Sequence, residues 1–486
     1  MLFNSYEYVL LFLPVFIIGF YLIKKLFANN EYLGSILNIW IIAASLLFYT
    51  LFGIKNLCVL SCSILVNAIV ALLISSAKKR GKKPGLWILA AGLILNVATL
   101  LLFKYSGTFF PIAISFYTFN QISYLVDLYR DEVKEFDPLT YLTYILFFPK
   151  LLQGPMMGYE PFAKELDKAV EMSFSWENVL RGLYFFSMGL FKKVILADTF
   201  GAAVGYGYEN VATLGSLEAV LVAVFYSFQL YFDFSGYCDM AMGVCRIMGF
   251  DLVLNFNSPY KARSISEFWD RWHITLTKFF TKYVYIPLGG SRKGRLRTYV
   301  NILVVFLLSG IWHGSGVTFV IWGAMHGIGS VVNRALREIA GRDKNEKPEK
   351  EGVFISVVKT AVTFIYVTVA WVFFRAESVK DALTLIGRMF NGGKKPISTH
   401  LSSCFQLDEL WYVIKVTPIM KLQFAWDVCL WLFVIASAVV IFLGKNAVER
   451  AGKAKIGIKT TVVTAALLTW CILSFAGVST FLYMNF

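Results

Sequence analysis

The sequence predicts an all-α, polytopic membrane protein, and three observations predict it. Composition comes first: 57% of residues are hydrophobic, 17% aromatic and only 16% charged, with a mean hydropathy of +0.63, far from a soluble globular average. Second, apolar stretches long enough to cross roughly 30 Å of hydrocarbon recur near residues 8–23, 36–52, 57–76, 86–103, 212–232, 299–312, 316–333, 353–374, 426–444 and 460–478. Third, the cations fall in short loops between these stretches: Lys78, Lys79, Arg80, Lys82 and Lys83; Arg292, Lys293, Arg295 and Arg297; Arg334 through Lys350; and Lys445 through Lys459. That is the positive-inside bias. The formal charge of +15 therefore reads as topology, with the lipid bilayer as the partner and no nucleic acid.

Taken in order, the run from Tyr8 lacks a basic n-region and a small-residue cleavage site and ends at Lys24-Lys25, so it is expected to stay as a membrane helix. Neighbouring cytoplasmic loops must be separated by an even number of crossings. Two apolar segments lie between Arg297 and Arg334 and two more between Lys350 and Lys445, which satisfies that parity and puts the turn at His313 to Gly316 outside. The same reasoning places the N-terminus outside and sends the last span, from about Thr460 to Ser479, outward, leaving Phe481 to Phe486 extracytoplasmic.

The middle of the chain breaks the apolar pattern. Tyr231 to Met240, Asn255 to Tyr260 and Ser264 to His273 read as poor spanning sequence, expected to line an internal chamber or to form short helices at the cytoplasmic face. Within it Glu267 and Arg271 are spaced to pair along a helix, and Ser264 with Glu267 fits a capping box. Pro111 to Gln121 and Phe147 to Pro155 carry Pro and amides inside apolar runs and read as re-entrant segments. Polar inserts are small: Arg130 to Asp137, Tyr159 to Trp176, Arg337 to Glu351 and an outer segment from Glu377 to about Lys421. The seven cysteines are scattered without ligand spacing, so they read as packing residues and no metal site is expected.

Two of the four histidines fall in an apolar hairpin, in Trp312-His313-Gly314-Ser315-Gly316 and in His326-Gly327. At 1.5 Å per residue, His326 lies roughly 15 Å below the turn at Gly316, near the bilayer midplane, and His313 near the rim. An ionisable side chain at that depth is costly and is a functional-site hypothesis by default. A neutral imidazole there keeps a lone pair for general-base work. The competing reading is structural: imidazoles bonding across a helix bundle, or an interfacial Trp-His pair at a helix end followed by a Gly turn.

The blocks Asn255-Phe256-x-x-Pro259-Tyr260, Phe268-Trp269-x-Arg271-Trp272-His273, Trp312-His313-Gly314, Trp322-Gly323 and His326-Gly327 occur in one order. In that arrangement the chain resembles the membrane-bound O-acyltransferase (MBOAT) family. It is most similar to the bacterial polysaccharide and peptidoglycan O-acetyltransferase branch, which includes the alginate O-acetylation membrane subunit. Two positions depart from the pattern: Ala113 stands where Gly is expected, and Val317 where an aromatic is frequent. The resemblance implies an MBOAT-type helical funnel with re-entrant segments, forming one integral-membrane domain over 1–486. Its parts would be N-terminal helices at 1–104, the core with the motif histidines at 105–335, and C-terminal helices at 336–486.

It also implies the chemistry. His326 would take the proton of an incoming hydroxyl as it attacks the thioester of acetyl-CoA, the acyl donor, and His313 would orient the acceptor or the acyl carbonyl, with no tightly bound cofactor. Gln153, Asn257, Trp269, Arg271 and Trp312 are the substrate-binding residues that go with it. Phe481-Leu482-Tyr483-Met484-Asn485-Phe486 fits a C-terminal Phe-x-Tyr-x-x-Phe pattern in which Tyr483 relays the acyl group to an extracytoplasmic SGNH-hydrolase-like acetyltransferase partner and so to a polysaccharide. The other reading of these aromatics is a belt closing the last helix. A protein of this kind belongs in the bacterial cell membrane. A teichoic-acid D-alanyl transfer protein remains the enzyme alternative, and a transporter or export channel using His, Asp233 and Asp239 as a proton path the non-enzyme one.

Overall fold

Sequences this apolar must satisfy every main-chain polar group internally, and helices do so within each segment. A computed structural model describes residues 1–81, 84–107, 109–341, 352–407, 417–418, 423–453, 457–477 and 479–482, and among these there is no strand. Eight of the described helices are long and apolar enough to cross a membrane, which makes the chain an all-α, multi-pass membrane protein.

The first four are α1 (Glu7–Leu26), α2 (Leu33–Thr50), α3 (Ile54–Lys79) and α4 (Leu86–Tyr105). They present many large apolar side chains outward, among them Leu11, Ile18, Leu65 and Ile94, as lipid-facing helices do. Next comes α5 (Ile114–Tyr129), fourteen of whose sixteen residues are buried. The Ile112 N–H donates to Asn56 at the start of α3, whereas Lys78 at the end of α3 donates to the Leu128 carbonyl. Hence α5 runs the full length of α3 and is not the re-entrant turn expected at Pro111 to Gln121. Its polar residues are paired inside the bundle: Gln121 Oε1 accepts from Ser63 at 2.8 Å and from Asn67 at 3.0 Å.

A shorter helical hairpin follows, over the Phe147 to Pro155 stretch expected to be re-entrant. It consists of α6 (Pro138–Leu146), capped by Asp137, a single turn α7 (Phe148–Leu151) and a non-helical return to α8 (Tyr159–Glu171). The Phe148 N–H reaches Ser45 Oγ, well inside α2, at 3.2 Å. Meanwhile the main chain at the end of α8 receives Lys24 from the basic end of α1.

The centre of the molecule is a long hairpin. One arm is α9 (Trp176–Phe191), continued through a π turn at Lys192–Ala197 into α10 (Asp198–Glu209); the other is α11 (Ser216–Met248). The expectation that Tyr231 to Met240 is irregular is therefore corrected: those residues lie within one unbroken helix. Asp233 and Asp239 are tolerated inside it because Lys193 and Lys192 pair with them, at 2.8 and 2.5 Å. The arms approach through reciprocal glycines. A Cβ on Gly189 would sit 2.5 Å from the Gly236 carbonyl, and one on Gly182 2.5 Å from the Gly243 carbonyl, so the seam exists only because all four lack side chains.

After an irregular stretch come the short helices α12 (Ile265–Arg271) and α13 (Ile274–Phe280), as the middle region was expected to supply. The hairpin of α14 (Arg295–His313) and α15 (Val317–Ile339) follows, then α16 (Val353–Arg375), α17 (Val379–Asn391) and α18 (Thr399–Ser403). The remaining helices are α19 (Gln423–Ala438), α20 (Ala447–Lys453) and α21 (Ile458–Leu473). Two expected spans come out weaker than their apolar letters suggested. In α15 one face is occupied by polar and small residues, and α21 has sixteen residues, about 24 Å of helix.

Candidate active site

The α14–α15 hairpin sets the two motif histidines at different heights. Its helices touch because Gly310 and Gly323 face each other: a Cβ on Gly323 would lie 2.5 Å from the Phe306 carbonyl. His313 is the last residue of α14 and His326 lies about 14 Å along α15. Both are buried, at 3% and 0% exposure. Trp322 stands between them, its ring centre 5.0 Å from each imidazole. Trp269 of α12 and Trp371 of α16 close the cage, at 5.0 and 5.9 Å from His326. Such a cage screens both imidazoles from bulk water.

The hydrogen bonds assign ring protons. Trp269 Nε1, which can only donate, donates to His326 Nδ1 at 3.2 Å. The neutral His326 ring therefore carries its proton on Nε2, and its lone pair is covered by the indole. A third histidine, His273, is also buried, at 1% exposure. It has a positive φ of 44°, and its ring packs edge-on to Phe234 at 4.8 Å. Asn255 Oδ1 accepts from the Thr275 N–H and hydroxyl, at 3.2 and 2.9 Å, and meets His273 Nδ1 at 3.1 Å. An amide oxygen cannot donate, so Nδ1 holds the proton and the His273 lone pair lies on Nε2. Sequence reasoning passed over His273 as a site residue. The signal was present in Asn255, one of the motif blocks, whose amide only finds its partner once the chain has folded.

Two cavities flank α13. The first, of about 410 Å³, is lined by Trp269 and Phe306 on the histidine side and by Ser330, Arg334 and Arg337 along α15. Arg334 is paired with Glu338 at 2.8 Å. The second, of about 430 Å³, has Asn120, Ser123, Met156 and Thr275 within it and Lys278 and Lys282 among its charged residues.

The other expected site residues scatter. Trp312 packs against Phe119 at 5.1 Å, and its carbonyl accepts from Lys104. Asn257 and Arg271 clamp each other: the Asn257 N–H donates to the Arg271 carbonyl at 2.9 Å, and Arg271 Nη1 returns a bond to the Asn257 carbonyl at 3.1 Å. Glu267 holds the guanidinium at 2.9 Å, the helix pair read from spacing. These contacts place both in a loop anchor. Gln153 sits on the non-helical return to α8, fully buried with neither amide atom hydrogen-bonded among the described residues. Beside it on the same segment, Lys150 Nζ lies 3.6 Å from the Tyr144 ring centre. Tyr483 lies outside the described residues. No cluster of His, Cys, Asp and Glu that could hold a metal occurs among the described residues.

Comparison with known proteins supplies the remaining findings. Residues 41–340 match the model of the MBOAT, membrane-bound O-acyltransferase family. The chain is 37% identical over 432 residues to a peptidoglycan O-acetyltransferase of Helicobacter pylori, covering 80% of each protein. It is 35% identical over 422 residues to a probable alginate O-acetylase AlgI of Pseudomonas putida, covering 82% of each. To a teichoic acid D-alanyltransferase of Streptococcus thermophilus it is 26% identical, over 74% of this chain and 91% of the other.

Proposed function

This chain belongs to the membrane-bound O-acyltransferase family, and from that premise we propose that it moves acetyl groups from cytoplasmic acetyl-CoA across the membrane for O-acetylation of a cell-wall or extracellular polysaccharide. That it is an acyltransferase follows from the family itself. The observation that carries the finer reading is His326, buried and bonded to Trp269, which in turn lines a cavity that also holds Arg334 and Arg337 together with Asp270 and Glu338. Arginines suit the phosphates of a nucleotide thioester, and the aromatic lining suits a short acyl group. The relatives named as O-acetylating enzymes of peptidoglycan and alginate support an acetyl donor and a polysaccharide acceptor.

In this reading the basic end of the bundle faces the cytoplasm and both termini face outward. Donor entering the cavity displaces the indole of Trp269 from His326 Nδ1, which frees the lone pair only when substrate is present. The acceptor hydroxyl then attacks the thioester carbonyl carbon: its proton passes to His326, the new C–O bond forms, the C–S bond breaks, and the departing thiolate recovers the proton. His313, one tryptophan away toward the opposite end, orients the acceptor. Tyr483 is the hydroxyl that takes the acetyl group and passes it to an extracytoplasmic SGNH-hydrolase-like partner.

The test uses membranes supplied with labelled acetyl-CoA. His326→Ala is expected to lower acetyl transfer by about a hundredfold to ten-thousandfold at normal protein level, and wild-type transfer would overturn the assignment. Tyr483→Phe keeps the ring and deletes only the oxygen; continued acetylation of the polymer by this variant would exclude the relay. A D-alanyl thioester on a carrier protein, offered in parallel, tests the teichoic-acid reading.

A further inference from the structure

The central hairpin buries a group of charges that the acyl-transfer chemistry does not use. Its π turn faces both lysines inward: Lys192 pairs with Asp239 at 2.5 Å, and Lys193 with Asp233 and Asp198, each at 2.8 Å. Lys193 and Asp233 are each 1% exposed. Charges are expensive to hold at this depth, and one half of the group is already satisfied: Lys192 and Asp239 answer each other. The other half is not closed by helices alone. Across it lies an irregular length of peptide from the far end of the chain, residues 479–482.

That segment is read through its main chain. The Ser479 N–H donates to Asp198 Oδ2 at 3.3 Å and the Leu482 N–H to Asp233 Oδ2 at 3.0 Å, while the Thr480 carbonyl accepts from Lys193 Nζ at 3.0 Å. Acceptors thus stand where the segment offers N–H groups, and a donor where it offers a carbonyl. Two side chains add selectivity. Ser479 Oγ donates to Asp198 Oδ1 at 2.6 Å and accepts from Lys193 Nζ at 3.1 Å. Phe481 is fully buried, with Lys193 Nζ 4.8 Å from its ring centre and Tyr237 edge-on at 5.3 Å. From the other side Asn4 Nδ2 donates to the Ser479 carbonyl at 3.2 Å. Ser479 and Thr480 are otherwise exposed and Phe481 is buried in the core, so the segment covers the charges with its polar residues and anchors itself by one ring.

We propose that Lys193, Asp198 and Asp233 form a socket for a peptide segment, occupied by residues 479–482, and that this docking positions the residues following Leu482 for acyl transfer. The socket stands on its own contacts; the positioning role rests on the Tyr483 reading above. A segment merely filling space between helices would be held by apolar contact. Here charge-assisted bonds reach three backbone groups, of Ser479, Thr480 and Leu482, and one hydroxyl, an arrangement that recognises chain direction as well as sequence.

Carboxypeptidase digestion of the purified 486-residue chain, followed by intact mass, reads the docking directly. In the wild type, trimming is expected to halt before Leu482 is removed. Ser479→Ala removes two bonds from the segment side without touching the hairpin, and Asp198→Asn weakens the same contacts from the helix side while Lys193 keeps Asp233. Either variant is expected to lose residues 479–482 at least about tenfold faster, at unchanged helical content. Equal trimming of wild type and Ser479→Ala would overturn the socket, whatever Asp198→Asn does to folding.

The positioning role is read as the fraction of cleaved acetyl-CoA whose acetyl group reaches polymer. That fraction is expected to fall at least about tenfold in Ser479→Ala, and an unchanged fraction with a freed segment would overturn positioning. Tyr483→Phe separates the two ideas. It should leave the segment protected while stopping delivery; protection with continued delivery would remove the relay and the positioning role and leave the socket supported by trimming.

Discussion

Ala113 shows how far a single residue can be understood from a departure in pattern. The sequence marks it as an alanine where glycine is expected, and the structure supplies the cause: the residue has φ 64°, left-handed, immediately before α5 begins. An L-residue with a Cβ pays roughly 1–2 kcal/mol to sit there. Ala113→Gly is therefore expected to stabilise the protein by roughly 1 kcal/mol once glycine's extra unfolded-state entropy is deducted. A rise in the thermal midpoint of the detergent-solubilised protein checks it, and an unchanged or lower midpoint would mean that the surroundings already relax the strain. The burial of His326 and His313 was legible for a related reason: a histidine among valines and phenylalanines stands out without any knowledge of its neighbours. Asn255 and His273 were not, because their meaning lies in a bond that closes across a loop, at 3.1 Å.

Whole elements were legible where one physical quantity decided them. Apolar length alone found α1 to α4, α14, α16 and α19. It misjudged α11, whose window is 83% buried and studded with polar letters, because in a helix surrounded by protein the partner and not the lipid sets what is tolerated. It also missed α5 and the arm formed by α9 and α10, where amides, lysines and aspartates hide the apolar face. The α14–α15 hairpin carries a prediction at this scale. A methyl group on Gly323 would meet the Phe306 carbonyl at 2.5 Å, and overpacking of that kind typically costs about 1–3 kcal/mol. Gly323→Ala should push the helices apart, carrying His326, three residues on, away from Trp269. The expected outcome is a lowered thermal midpoint together with lost transfer activity; a variant with wild-type melting and activity would show that the close approach is not needed.

At the scale of the molecule, one end gathers Lys24, Lys78, Lys168 and Arg246, and Trp312 sits toward the other. The funnel reading requires the basic end to be cytoplasmic. Cysteines placed at Lys78 to Arg80 and at Arg292 to Arg297 should be shielded from an impermeant thiol reagent in intact cells, whereas one at Gly314 to Gly316 should react, native cysteines being subtracted. Labelling of the Arg292 loop from outside would invert the whole arrangement and with it the direction of acyl movement. Parity of basic loops is an expectation the sequence alone can supply, because it is a sum over short segments. The meeting of residues 4, 193 and 479 is not, because nothing local announces that segment 479–482 leaves the last helix to lie on the central hairpin.

The glycine seam of that hairpin has an assembly consequence. Gly182 faces Gly243 and Gly189 faces Gly236, seven residues apart on each arm, so a slip of seven would still leave one glycine pair in contact and the helices equally close. Close packing cannot tell these registers apart. Charge can: the slipped hairpins would set Lys193 against Tyr226 or Met240 instead of Asp233, leaving Lys193 only Asp198 of its own arm and stranding the Asp233 carboxylate in the interior at a cost of several kcal/mol. The buried ion pair between the arms thus works as a key that rejects near-miss registers, which close packing of the glycines alone would let through.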